Sequence, residues 1–209
     1  MEDISNLNES LKISEDIFNW IVSKSDGLMM PSNKRQLLSI CCHDVVIEHH
    51  LGISTLLEKK ICGPAFALAR PLFETFVRGV WLKNCATDSE LDDFRQDKFK
   101  KEFWELLRDI EQLEAFESKV LSNLKKTAWK HMCGYTHGGI QQISRRVFNK
   151  VITPDYKPEE IVEILKLSQA FALLSFIQIV GEADRNDLAR EAIDLLYKYK
   201  LFMKKISSA

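Results

Sequence analysis

Apolar residues recur along this chain at helical intervals of three and four, and almost nowhere at the alternate-residue spacing of a strand. The pattern predicts a first amphipathic helix from about Ile4 to Lys24, closed by a loop over 25–33 that carries Gly27 and Pro31. Pro31 with Ser32 or Asn33 then opens a long second helix to about Lys60, and Gly63-Pro64 breaks the chain after it. A third helix covers about Ala65 to Asn84. Thr87 with Glu90 has the form of a capping box, and Phe103, Leu106, Leu107, Ile110 and Leu113 mark a fourth helix. A fifth helical stretch runs into Gly138-Gly139, and a proline-containing loop over 152–158 follows. Pro158, Glu159 and Glu160 suit the first turn of a sixth helix. Proline there lacks only an N–H that has no partner, and the acids meet the positive end of the helix dipole. Gly181 to Asp184 is short enough to turn the chain back into a last helix ending near Lys205. No convincing strand emerges. The expected fold is all-α, a single-domain bundle of six or seven helices over 1–209, with the N-terminal helix, about 4–24, as its candidate peripheral element.

Two of these helices are unusual. The sixth is apolar on nearly every side from Ile161 to Val180, so it must be surrounded, either at the centre of the bundle or at a dimer face. Its charge-free run, Leu167 to Val180, falls short of the roughly 20 residues that span a bilayer. The third carries Arg70, Glu74 and Arg78 in an otherwise apolar run, within about 80° of one another around the axis. Glu74 can bridge both guanidiniums. The stripe reads as a structural ion network or, with one arginine facing a cleft, as a holder of phosphate. Pro71 deletes the bond its N–H would have made to the Ala67 carbonyl, which predicts a kink or a helix start beside the stripe.

Composition adds boundaries. With 45% hydrophobic and 28% charged residues, the chain has the balance of an ordinary globular protein. Its formal net charge of −1 gives no global pull toward nucleic acid or membrane, so any such pull must be local. The opening residues have acids where a secretory signal has bases. Five cysteines without C-x-x-C spacing point to a reducing, cytoplasmic setting, and no membrane partner is expected. His43 and His50 lie two helical turns apart, about 10 Å, too far to share one metal ion. They are expected as polar positions on an amphipathic helix, and neither a metal nor another cofactor is expected.

Charge is strongly segregated. Residues 118–154 contain no Asp or Glu and seven bases: Lys119, Lys125, Lys126, Lys130, Arg145, Arg146 and Lys150. The thirty residues before them, 88–117, contain eleven acids. The basic band could neutralise several phosphates; alternatively, the two segments pair with each other as neighbouring helices. Inside the band stands Trp-Lys-His-Met-Cys-Gly-Tyr-Thr-His-Gly-Gly, residues 129–139. His137 can exchange protons near neutral pH, Tyr135 can donate a hydrogen bond or accept a modification, and Lys130 supplies a mobile positive charge. Together these are the parts needed for RNA cleavage without metal, with the imidazole taking the 2′-hydroxyl proton and cations stabilising the phosphorane.

Lys130, four residues, Tyr135, one residue, His137 resembles the Arg-x-x-x-x-Tyr-x-His motif of the HEPN superfamily. The likeness extends over about residues 35–180 in helix order. It implies an all-α bundle, a homodimer, and a metal-independent ribonuclease of toxin–antitoxin or phage-defence type. The resemblance makes His137 catalytic and Tyr135 the residue that a nucleotidyltransferase-type antitoxin would adenylylate. Lys130 departs from the motif arginine, since lysine keeps the charge without the planar fork. Arg70 or Arg78 could supply a guanidinium in its place, and Lys125, Lys126, Arg145 and Arg146 would complete the contacts to RNA. The alternative is a non-catalytic helical module that binds a nucleotide, nucleic acid or protein partner through the same basic surface.

Overall fold

The computed structural model describes residues 2–201, with side chains from Ser5 onward. Within them the helices are α1 (Glu2–Ser25), α2 (Lys34–Glu58), α3 (Cys62–Ala67), α4 (Ala69–Asn84), α5 (Asp88–Arg95), α6 (Phe103–Ile110), α7 (Val120–Thr136), α8 (Ile140–Ile143), α9 (Pro158–Glu182) and α10 (Asn186–Lys198). Single 3₁₀ turns at Glu114–Phe116 and Ser144–Arg146 join them, with one short hairpin, β1 (Val147–Phe148) and β2 (Val151–Ile152). The all-α class is as the periodicity predicts.

The helix starts follow local chemistry. The Asn33 side chain accepts from the backbone N–H groups of Arg35 and Gln36 and so caps α2. Thr87 and Glu90 form the expected capping box on α5. Pro158 occupies the first turn of α9. Several boundaries differ from the expectation: Gly63 and Pro64 lie inside α3 instead of breaking the chain, and Leu113 falls beyond the end of α6. The third helix divides at Leu68, just before Pro71, into α3 and α4. The last helix stops at Lys198, because Lys200 turns left-handed (φ 53°) and the Leu201 N–H reaches back to the Leu196 carbonyl. The hairpin was not anticipated. It is made by Asn149 and Lys150, both at positive φ, which turn the chain between Val147↔Ile152 and Phe148↔Val151 pairs.

α9 lies at the centre, packed by α1, α2, α10 and α4. This explains its apolar circumference: Leu165, Phe171, Leu173, Phe176 and Val180 are all fully buried. It is long and apolar enough by composition to cross a membrane, yet most of it is buried inside the bundle. On one side α2, α3, α4, α6 and α7 close a core around Phe73, Phe76 and Trp81. On the other, Ile17 and Ile21 of α1 meet Leu188, Ala192 and Leu196 of α10.

The histidines of α2 require a correction. His43 and His50 are not solvated polar positions; they are 1% and 0% exposed. The His50 Nδ1 pairs with Ser168 Oγ at 2.9 Å, and the His43 Nδ1 with Ser175 Oγ at 3.2 Å. Both are polar links in the α2–α9 seam. Among the described residues no group of three or more His, Cys, Asp or Glu could hold a metal ion.

Candidate functional site

The site begins with a proline. Pro71 has no N–H for the Ala67 carbonyl, and that carbonyl lies 3.2 Å from the Thr136 hydroxyl, whose single proton it shares with the Met132 carbonyl at 2.9 Å. Thr136 is the last residue of α7, so the break before α4 becomes the anchor that holds the end of α7 beside it. One residue on, His137 is the C-cap of α7. Gly138 follows in the left-handed conformation (φ 65°), and the Gly139 N–H returns to the Gly134 carbonyl at 2.6 Å. Gly134 leaves room for a side chain to lie across it. A Cβ there would stand 1.9 Å from the Gln141 side chain that folds over the helix end. The stretch therefore ends a helix, and in doing so presents His137 to solvent.

Three turns of packing converge on that imidazole. Arg70 Nη1 donates to His137 Nε2 at 2.5 Å, while Arg70 Nε donates to Glu74 Oε1 at 2.8 Å. Its guanidinium carbon also lies over the Trp129 ring, 4.8 Å from the centroid. Trp129 is braced by Phe103, stacked nearly parallel at 4.7 Å. Arg78 meets Glu74 more loosely, at 3.7 Å. Glu74 thus bridges both arginines, as the spacing allows, but the stripe is partly buried rather than sealed off. Because a guanidinium can only donate, the geometry places a lone pair on His137 Nε2 and leaves the ring proton to Nδ1.

The predicted motif divides across α7. At 100° per residue, Lys126, Lys130 and His137 fall within about 40° of one another, on the solvent side. Tyr135 lies about 160° away from His137. It is 7% exposed and packs on Phe66 and Tyr156. Burial pushes its hydroxyl above the usual phenol range, against the opposing charge of Arg145. The structure brings Arg70, Lys130 and His137 to one face and turns Tyr135 away from it.

Tyr135 instead lines a groove of about 400 Å³ between α7 and α9, with Phe66, Met132 and Leu167 as its floor. Arg145 closes one end in a paired grip on Glu160, at 2.8 and 2.5 Å, so this guanidinium is engaged within the chain rather than free for phosphate. A second hollow, about 440 Å³, lies at Glu90, Asp93 and the loop before α6. His137 lines neither; it stands on an open surface.

The two charged segments do not neutralise each other. Among the described residues, Asp88, Glu90, Asp92 and Asp109 pair with Arg35, Lys101, Lys34 and Arg108, all outside the basic band. Lys119, Lys126, Lys130, Arg146 and Lys150 remain exposed, and Lys125 is half-buried, near the Trp129 ring. Trp129 and Glu74 together orient Arg70. The only signal for that role is the i,i+4 spacing of Arg70 and Glu74, because contact with Trp129 depends on packing.

No curated protein and no solved structure matches the chain. A family model does match, over residues 43–205, a span that takes in the arginine stripe, the α7 terminus and the hairpin. The chain belongs to that family, described as a family of unknown function (DUF6988).

Proposed function

We propose that the protein is a HEPN-like ribonuclease that cleaves RNA without metal at His137. The observation that carries this reading is the Arg70 guanidinium on His137 Nε2. α4 supplies the fork that Lys130 lacks, already oriented by Glu74 and Trp129. In this mechanism an RNA phosphate draws Arg70 onto its oxygens and frees the Nε2 lone pair. His137 then takes the proton of the 2′-hydroxyl, the 2′-oxygen bonds to phosphorus, and the bond to the 5′-oxygen breaks. The leaving oxygen takes a proton from solvent. The products are a 2′,3′-cyclic phosphate and a 5′-hydroxyl. Arg70 and Lys130 meet the charge that builds on the phosphorane, and Lys126 holds the flanking strand. A cytoplasmic toxin or phage-defence effector, working as a homodimer under a nucleotidyltransferase-type antitoxin, is the setting this reading implies.

The test is cleavage of a labelled RNA in the presence of EDTA. His137→Ala should lose about 10²–10⁴-fold in rate while its circular dichroism stays native. Arg70→Ala should lose as heavily, and Arg78→Ala much less. Wild-type rates in the His137 variant would overturn the proposal.

A second reading is a module that binds RNA without cutting it. It is favoured by the orientation of Tyr135, which the structure turns into the α7–α9 groove and away from the face it would regulate. Salt-sensitive RNA binding with no product at any enzyme concentration would select it.

A further inference from the structure

Between α8 and the hairpin, six large apolar side chains stand in solvent within thirteen residues. Ile140, Ile143, Val147, Phe148, Val151 and Ile152 are 53% to 87% exposed. Elsewhere in the described chain, exposed large apolar residues are sparser, with no other six so close in sequence, which is usual for a protein surface; a concentration of this kind marks a contact site. Its shape narrows the partner. Val147 pairs with Ile152, and Phe148 with Val151. Directly opposed residues share a face of the sheet and successive residues alternate. Both faces of the hairpin are therefore apolar. A hairpin that docked on one flat protein surface would need only one such face. Two apolar faces suit immersion in a medium that surrounds the element.

The local charge points the same way. No carboxylate occurs in residues 118–154; the next along the chain, Asp155, sits at the hairpin base, where its backbone bonds to Arg145, and the Glu160 carboxylate nearby is held by the Arg145 guanidinium. Arg146, just before β1, and Lys150, in the turn at the hairpin tip, are both exposed, with the Arg146 guanidinium lying beside Gly63. Two residue pairs extend about 7 Å, which matches the roughly 5–10 Å depth of the headgroup–acyl boundary. At that depth water and phosphate oxygens satisfy the open backbone edges. The four-carbon stem of Lys150 lets its ammonium return to the phosphates.

We propose that the 140–152 segment is a peripheral docking element for an anionic lipid surface, independent of any chemistry at His137. The test is co-sedimentation of the full chain with vesicles of phosphatidylcholine alone and of phosphatidylcholine with 30% phosphatidylglycerol. Binding is expected only to the anionic vesicles. Ile152→Glu and Phe148→Glu, at exposed positions where neither disturbs the core, should each weaken it about tenfold or more. Arg146→Gln with Lys150→Gln should weaken it by a similar factor. Three results would overturn the proposal. One is no binding to either vesicle. Another is anionic binding that the Glu variants leave intact, which would make the contact purely electrostatic. The third is a wild-type dimer in solution that Ile152→Glu converts to monomer, which would make the patch a self-interface.

Discussion

Thr136 shows how one hydroxyl can tie a backbone break to a functional side chain. The Ala67 carbonyl has lost its helical donor to Pro71, and Thr136 shares its hydroxyl proton between that carbonyl, across the α3–α4 break, and the Met132 carbonyl of its own helix. Thr136→Val keeps the shape and removes the hydroxyl. The bond is near solvent, so water can recover part of the loss. We expect about 0.5–1 kcal/mol of destabilisation, read as a lower urea midpoint at unchanged slope. RNA cleavage should fall further than stability does, because the same bond sets the end of α7 beside Arg70. An unchanged midpoint would mean that the carbonyl is satisfied without Thr136.

At the scale of elements, the α2–α9 seam carries a pH sensitivity. Burial lowers His43 to about 3 and His50 to about 4, from 6.5 in the unfolded chain, with the Ser14 carbonyl opposing the shift at His50. His43 is faced by Ser175, Phe76 and Gly79, and its Nε2 has no hydrogen-bond partner. His50 is faced by Ser168 and Ser14. No carboxylate is among these neighbours to stabilise a charged ring. Between the folded and unfolded values the unfolded chain binds more protons, so stability is present above about pH 6.5 and is lost as the pH falls. Each histidine contributes up to about 1.4 kcal/mol per pH unit between roughly 6 and 4. Urea midpoints at pH 7, 6 and 5 should decline accordingly, and more gently in a His50→Gln variant. A flat profile would show that the buried rings keep their ordinary affinity for protons. The seam was partly legible in the sequence: His43, Val46, His50, Ile53 and Leu57 follow the alternating three-and-four spacing of a buried stripe. Residue type hid it, because histidine is read as polar until Ser168 and Ser175 are seen opposite.

Over the whole molecule, the net charge of −1 conceals a divided surface. Among the described residues Asp88, Glu90, Asp92 and Asp109 are drawn to Lys34 and Arg35 of α2 and to Lys101 in the loop before α6, which leaves the basic band facing solvent. If RNA tracks Lys126, Lys130 and the exposed cations beyond them, three or four phosphates are neutralised. Each contributes about 0.7 to the salt slope for a single strand. Fluorescence anisotropy should then give a plot of log affinity against log salt with a slope of about −2 to −3. A slope near zero would remove the band as a nucleic-acid surface, whatever His137 does.

Periodicity, caps and proline positions are local properties, and they determined the all-α class, the start of α2, α5 and α9, and that α9 must be surrounded. These depend on which residues lie three or four apart and on which N–H groups lack a partner, and a linear chain displays both. The site depended on distance across the fold. Arg70 and His137 are 67 residues apart, and no spacing rule connects them. Only the docking of α7 against α3, α4 and α6, through Thr136 at the Ala67 carbonyl and the stacked Phe103–Trp129 pair, put a guanidinium on that imidazole. The same docking turned Tyr135 inward, because two residues of one helix that differ by about 160° cannot both face the same solvent.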